Sequence, residues 1–131
     1  MKPQTQSPVP QRVLLVDESS DARQVLRTVL ERRGVEIYEA DGADHGSSLI
    51  RKHNPDLVVL DVESQTEVDC EACRAASKET QSSLVVLGVF PRHQLEEEDE
   101  RRVAKPYHFA PLVRTIQKLL DDLGESSTST Q

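Results

Sequence analysis

Four charged residues stand where their chemistry could converge: Asp17, Glu18, Asp61 and Lys105. Asp17 and Glu18 close the aliphatic run Val13-Leu14-Leu15-Val16, Asp61 closes Leu57-Val58-Val59-Leu60, and Lys105 stands just before Pro106. Carboxylates gathered in one crevice repel, by about 4 kcal/mol per pair at ~4 Å and an effective dielectric near 20. Two remedies exist: some of the acids stay protonated, or a divalent cation and a lysine neutralise them. Hard carboxylate oxygens suit Mg2+, which keeps several waters and takes one or two carboxylates together with a phosphate. A carboxylate held between such an ion and a lysine is set up for in-line attack on phosphorus, where positioning and charge neutralisation dominate. An Asp nucleophile that becomes an acyl phosphate is an established form of covalent catalysis.

These residues meet only if the intervening elements bring them together. The run Arg12 to Asp17 reads as a strand covered on both faces. Ser19, Ser20 and Asp21 offer helix caps, Val25, Leu26, Val29 and Leu30 recur at helical spacing, and Gly34 closes the helix. The unit then repeats: a strand at Val35 to Glu39, a helix at Ala43 to His53, a buried strand at Asp56 to Asp61, and a helix at Glu67 to Lys78. A fourth strand at Leu84 to Leu87, a weak fifth at Arg101 to Ala104 and a last helix at Phe109 to Leu123 follow. Strands alternating with helices predict right-handed crossovers and a doubly wound parallel sheet. Five strands favour the flavodoxin-like α/β order 2-1-3-4-5, whose ligand crevice lies at the carboxyl ends of strands 1 and 3. That rule selects Asp17-Glu18 and Asp61 without reference to any motif.

Composition narrows the partners. The net charge of −7 argues against a nucleic-acid-binding face and against an anionic membrane surface. No apolar run approaches the ~20 residues of a spanning helix, and the N-terminus lacks a signal-peptide core, so a cytoplasmic location is expected. With 131 residues and no Trp, one domain with an aliphatic core is expected over residues 12–123. It would be flanked by disordered tails at 1–11 and 124–131, the second rich in Ser and Thr. Cys70 and Cys73 have no completing ligand pair and read as buried structural thiols. The run Glu96 to Glu100 reads as a solvated acidic stretch, and the four histidines as surface residues.

The segments RVLLVDES, NPDLVVLDVE, TEVDCEACR and VAKPYHF resemble the matching blocks of response-regulator receiver domains of two-component signalling, from about Arg12 to Leu123. The resemblance implies Asp61 as phosphoacceptor and Lys105 as the phosphoryl contact. It implies Mg2+ bound directly by Glu18 and Asp61, by Asp17 largely through water, and by the backbone carbonyl of Glu63. Several positions depart from the family pattern. Gly88 stands where a Ser or Thr hydroxyl contacts the phosphate, and Arg102 where a Tyr or Phe rotates on phosphorylation. Gln65 replaces a Pro and Cys70 a turn Gly. The stretch from Phe90 to Glu100 is short, so the fourth helix of the family is expected to be short or missing.

The expected function is a stand-alone phosphoacceptor, not an enzyme, taking phosphoryl groups from a histidine kinase or phosphotransfer partner and acting on a downstream protein that the sequence does not name. The alternative is a pseudo-receiver that binds partners independently of phosphorylation. An enzyme on a similar fold fits poorly: Glu18-Ser19-Ser20 is not a flavin phosphate loop, and Val62-Glu63 lacks the second Asp of an Asp-nucleophile phosphatase.

Overall fold

The sheet is set by two aliphatic strands that cannot tolerate solvent on either face. In the computed structural model, which describes residues 9–63, 65–90 and 100–129, β1 (Arg12–Val16) and β3 (Leu57–Asp61) are buried almost throughout. They pair in parallel, and β2 (Glu36–Ala40), β4 (Ser83–Gly88) and β5 (Arg101–Ala104) complete the order β2-β1-β3-β4-β5. This is the flavodoxin-like arrangement expected from the sequence.

Strand alternation divides the core in two. Val13, Leu15, Leu57, Val59, Val85 and Leu87 face one side, where α1 (Ser20–Glu31) and α4 (Phe109–Ser129) cover them with Leu26, Leu30, Leu112 and Ile116. Leu14, Val16, Val58, Leu60, Leu84 and Val86 face the other, under α2 (Ala43–His53) and α3 (Glu67–Thr80). Gly46 lets α2 lie close to the sheet, since a Cβ there would come within 2.9 Å of Val16 Cγ2. Cys70 and Cys73 are free and buried; Cys73 Sγ donates to Ala43 O at 3.2 Å, and burial pushes its thiol up to about 12. Ser19 caps α1 by accepting from Ala22 N, and Thr66 caps α3 by accepting from Asp69 N.

The chain ends differ from expectation in two respects. Gln11 belongs to the fold: its side chain donates to Leu120 O at 2.8 Å and its carbonyl accepts from Glu36 N. The last helix continues beyond Leu123 to Ser129. Interior glycine lowers helix stability by only about 1 kcal/mol, and no proline follows Gly124 to end propagation. The expected short or missing helix between β4 and β5 falls on residues 91–99, outside the described residues, as do 1–8 of the N-terminal tail and 130–131 of the C-terminal one.

Candidate functional site

Register decides which acids meet. Val16 pairs with Leu60 on neighbouring strands, so Asp17 and Asp61 occupy the next rung, on the same face of the sheet as Leu15 and Val59. Both carboxylates are buried, each residue 8% exposed. Asp17 Oδ1 accepts from Ser19 N at 2.9 Å, and Asp61 Oδ1 accepts from Glu63 N at 2.9 Å. On the other side of Asp61, Lys105 Nζ donates to Oδ2 at 2.6 Å. Lys105 follows β5, so its side chain reaches Asp61 across the tip of β4.

Electrostatics mark the pair. Burial holds the Asp17 carboxyl above its ordinary value, and the charge of Asp61 and a hydrogen bond with it push the same way. The Ser19 N–H and the Lys105 charge oppose this without reversing it. Tyr107, two residues beyond Lys105, has its phenol pushed up to about 12, first by burial and then by the negative charges of Asp17 and Asp61. It is a wall of the site that the sequence reading passed over, signalled only by its nearness to Lys105.

Of the expected residues, Asp17, Asp61 and Lys105 converge; Glu18 is the exposed neighbour of Asp17, and Glu63, expected only through its backbone carbonyl, uses its side chain elsewhere. Glu18 lies past the end of β1 and is exposed, whereas Asp17 beside it is buried. Glu63 turns its carboxylate to β4, where Oε2 accepts from Val89 N at 3.3 Å. Two of the three acids expected in the hollow are thus buried together, with Glu18 exposed beside them. Among the described residues, no group of three or more His, Cys, Asp or Glu side chains is disposed as a metal cage. The donor chemistry nevertheless fits Mg2+, which needs only one or two carboxylates beside its waters. Asp17 and Asp61 form such a pair, mutually repelling and open to neutralisation.

The β4–β5 side of the site is built differently. A Cβ on Gly88 would lie 2.7 Å from Val62 Cγ2 and 3.2 Å from Phe90 Cζ, so those two side chains fill the space a hydroxyl residue would need. Phe90 lies 5.1 Å from the guanidinium carbon of Arg102, which stacks over its ring. Arg102 Nε donates to Glu100 Oε2 at 2.8 Å, and Arg74 Nε on α3 donates to Glu100 Oε1 at 2.9 Å. Glu100 is thus not part of a solvated acidic stretch: its side chain is 6% exposed. Burial raises its carboxyl, but hydrogen bonds from Arg74 and Arg102 outweigh that and leave it below the ordinary value. Its partner Arg74 lies 26 residues away in sequence, so no local pattern reveals the pairing.

A doubly wound sheet with a buried Asp at the tip of β3, a second acid on β1 and a lysine after β5 defines a class of signalling module. Residues 13–90 match the model of the response regulator receiver domain, and the chain belongs to that family. Receiver domains are modules of two-component systems, and they generally bind Mg2+ at their phosphorylation site. The chain is 30% identical over 115 residues to the transcriptional regulatory protein PdtaR of Mycobacterium tuberculosis, covering 83% of this chain and 56% of that protein. It therefore spans about half the length of that relative. It is 26% identical over 117 residues to protein PilH of Pseudomonas aeruginosa, covering 83% of this chain and 97% of PilH. The fold is shared with the signal receiver domain of a putative LuxO repressor protein from Vibrio parahaemolyticus, with TM-score 0.77 and 14% identity over 94% of this chain and 99% of that one. The chemotaxis protein CheY4 of Vibrio cholerae shares it too, with TM-score 0.70 and 21% identity over 85% and 99%. No helix among the described residues is long and apolar enough to cross a membrane.

Proposed function

We propose that the chain accepts a phosphoryl group on Asp61 from a histidine kinase or phosphotransfer protein and signals, as a stand-alone receiver in the cytoplasm, through contacts with a downstream protein. The observation that carries this reading is the 2.6 Å contact from Lys105 Nζ to Asp61 Oδ2, with Asp17 buried on the adjacent rung. One carboxylate oxygen of Asp61 forms a bond to phosphorus while the bond from phosphorus to the donor imidazole nitrogen breaks, its electron pair staying on nitrogen. The Glu63 N–H fixes the orientation of the nucleophile through Oδ1. Lys105 transfers its ammonium from the carboxylate to a phosphoryl oxygen, so charge is balanced as it arrives. Mg2+, when bound, neutralises the remaining phosphoryl charge. Asp61 and Glu18 would hold it directly, with the backbone carbonyl of Glu63, and Asp17 largely through water. Incubation with Mg2+ and acetyl phosphate should raise the intact mass by one phosphoryl group, and Asp61→Asn should abolish the gain. An unchanged mass, together with unmoved amide resonances of Asp61 and Glu63 under beryllofluoride, would end this reading.

A second reading is favoured by the packing of Val62 and Phe90 around Gly88, which leaves no hydroxyl to draw toward a phosphate. On it the same fold binds a partner whatever the state of Asp61. Asp61→Ala would then leave partner affinity unchanged; a tenfold loss, about 1.4 kcal/mol, with the fold intact would rule it out.

A further inference from the structure

The two residues that hold the Asp61 carboxylate also hold the backbone where β4 ends. Lys105 donates its Nζ to Asp61 and its backbone N–H to Gly88 O at 2.8 Å. Glu63 donates its backbone N–H to Asp61 and accepts from Val89 N with its carboxylate. Gly88 and Val89 are thus gripped from both sides by the neighbours of the nucleophile. The next residue, Phe90, packs over Gly88 and under Arg102, and Glu100 joins Arg102 to Arg74 on α3. The chain of contacts is continuous from Asp61 to α3, and every link is on the α2–α3 face of the sheet or at its tip.

Adding a phosphoryl group to Asp61 disturbs both grips together. The Lys105 ammonium is drawn from the carboxylate to the phosphoryl oxygens. The Glu63 carboxylate, whose own N–H touches Asp61, is repelled by the new dianion and loses Val89 N–H to it, because a backbone donor serves the more highly charged acceptor better. The Gly88–Val89 backbone then moves, and Phe90 cannot stay both over Gly88 and under Arg102.

We propose that Phe90 and Arg102 relay the state of Asp61 to the α3–β5 face, with Glu100 as the hub that passes the movement to Arg74. The relay takes the place of a hydroxyl and a rotating ring, using an aromatic on the loop after β4 and a cation on β5. It rests on the phosphoacceptor reading and supplies its regulation. Reciprocity follows, since any element that Asp61 biases must in turn bias binding at Asp61. A single cation–π stack, here partly buried, is weak, so releasing it should tighten beryllofluoride binding by only about 3-fold.

The test follows the backbone amides of the pocket and the Nε–H signals of Arg74 and Arg102 by NMR while Mg2+ and beryllofluoride are added to the full chain. The wild-type protein should show shifts at Asp61, Glu63 and Lys105 together with shifts at both arginines. In Phe90→Leu and in Arg102→Gln the pocket shifts should persist while Arg74 falls silent, with ligand affinity raised about 3-fold. Arg102→Gln leaves the packing around Gly88 in place, so a folding defect in Phe90→Leu does not remove the test. A responsive pocket with a silent Arg74 in the wild type overturns the relay alone. So does an Arg74 shift that survives both substitutions. A silent pocket overturns the phosphoacceptor reading, and the relay with it.

Discussion

The tips of β1 and β3 and the tips of β4 and β5 face each other across one crevice, but they are organised by different rules. On the first side two acids are placed by strand register alone, one rung past the Val16–Leu60 pair, and each is held by the N–H two residues on. On the second side a glycine admits two apolar side chains, and long-range contacts among Phe90, Arg102, Glu100 and Arg74 set the arrangement. The first side matches the receiver family in residue type, and the second departs from it. On the proposed function, nucleophilic chemistry and its readout are separable: the β1–β3 tip keeps the geometry for phosphoryl transfer while the coupling beside it is built from other side chains.

Lys105 spans both sides and carries the cation that meets Asp61, so its removal should have the largest effect. Lys105→Met deletes the ammonium at 2.6 Å from Asp61 and leaves two buried carboxylates with no cation between them. Phosphorylation by acetyl phosphate at saturating Mg2+ should slow by about 100-fold or more, the range seen when one preorganised charge-stabilising group is lost. A loss below fivefold, read from the initial rate of the mass shift, would mean that the two sides do not share a site.

Restoring the usual hydroxyl should harm the protein. In Gly88→Thr the new Cβ must push Val62 and Phe90 aside, and overpacking of this kind destabilises by about 1–3 kcal/mol. Chemical denaturation would measure it. If Gly88→Thr were instead as stable as the wild type and phosphorylated faster, the β4–β5 side would be a family switch missing one atom group, not a rebuilt one.

A smaller effect is expected at Gln65. Gly42, at the N-cap of α2, has no side chain to offer, and Gln65 Oε1 accepts from Ala43 N at 2.9 Å in its place. Gln65→Ala should lower stability by about 1 kcal/mol, the usual value of a lost cap. Gly42→Ser in that background should recover most of it, because the residue already has the extended backbone of a cap at φ −159° and ψ 160°. Recovery of stability without recovery of phosphorylation rate would place Gln65 among the residues that hold the Asp61 loop, tying it to the acid side.

How much of this was legible in the sequence follows the same division. Aliphatic runs at Arg12–Val16 and Leu57–Asp61 dictate a parallel sheet, and the crevice rule then points at Asp17 and Asp61. Lys105 was visible because Pro106 marks the end of its strand. What sequence could not reveal was side-chain choice among competing partners. Glu63 takes the Val89 N–H, and Glu100 is drawn out of an acidic run by two arginines, one of them on another element. Those outcomes depend on which donors the finished fold leaves unpaired.

The smallest effect is the most specific to the acid pair. The carboxyl of Asp17 is raised above 3.8 by burial and by Asp61, so the folded protein keeps this proton to a higher pH than the unfolded chain does. Stability from this group falls as pH rises from the unfolded value through the folded one, and the deficit is complete above both. Asp17→Asn keeps an oxygen for the Ser19 N–H while removing the charge. It should melt higher than the wild type at neutral pH, with the advantage shrinking as pH falls toward 3.8. Mg2+ offers an independent check, because an ion that binds only the folded state at 100 times its Kd stabilises by about 2.7 kcal/mol. The wild type should gain in Tm on adding Mg2+, and Asp17→Asn should gain less, since half of the repelling pair is already neutral. An Asp17→Asn protein that melts lower at neutral pH would show that the Asp17 charge is compensated within the fold, and that the two acids are not the strained half of the crevice.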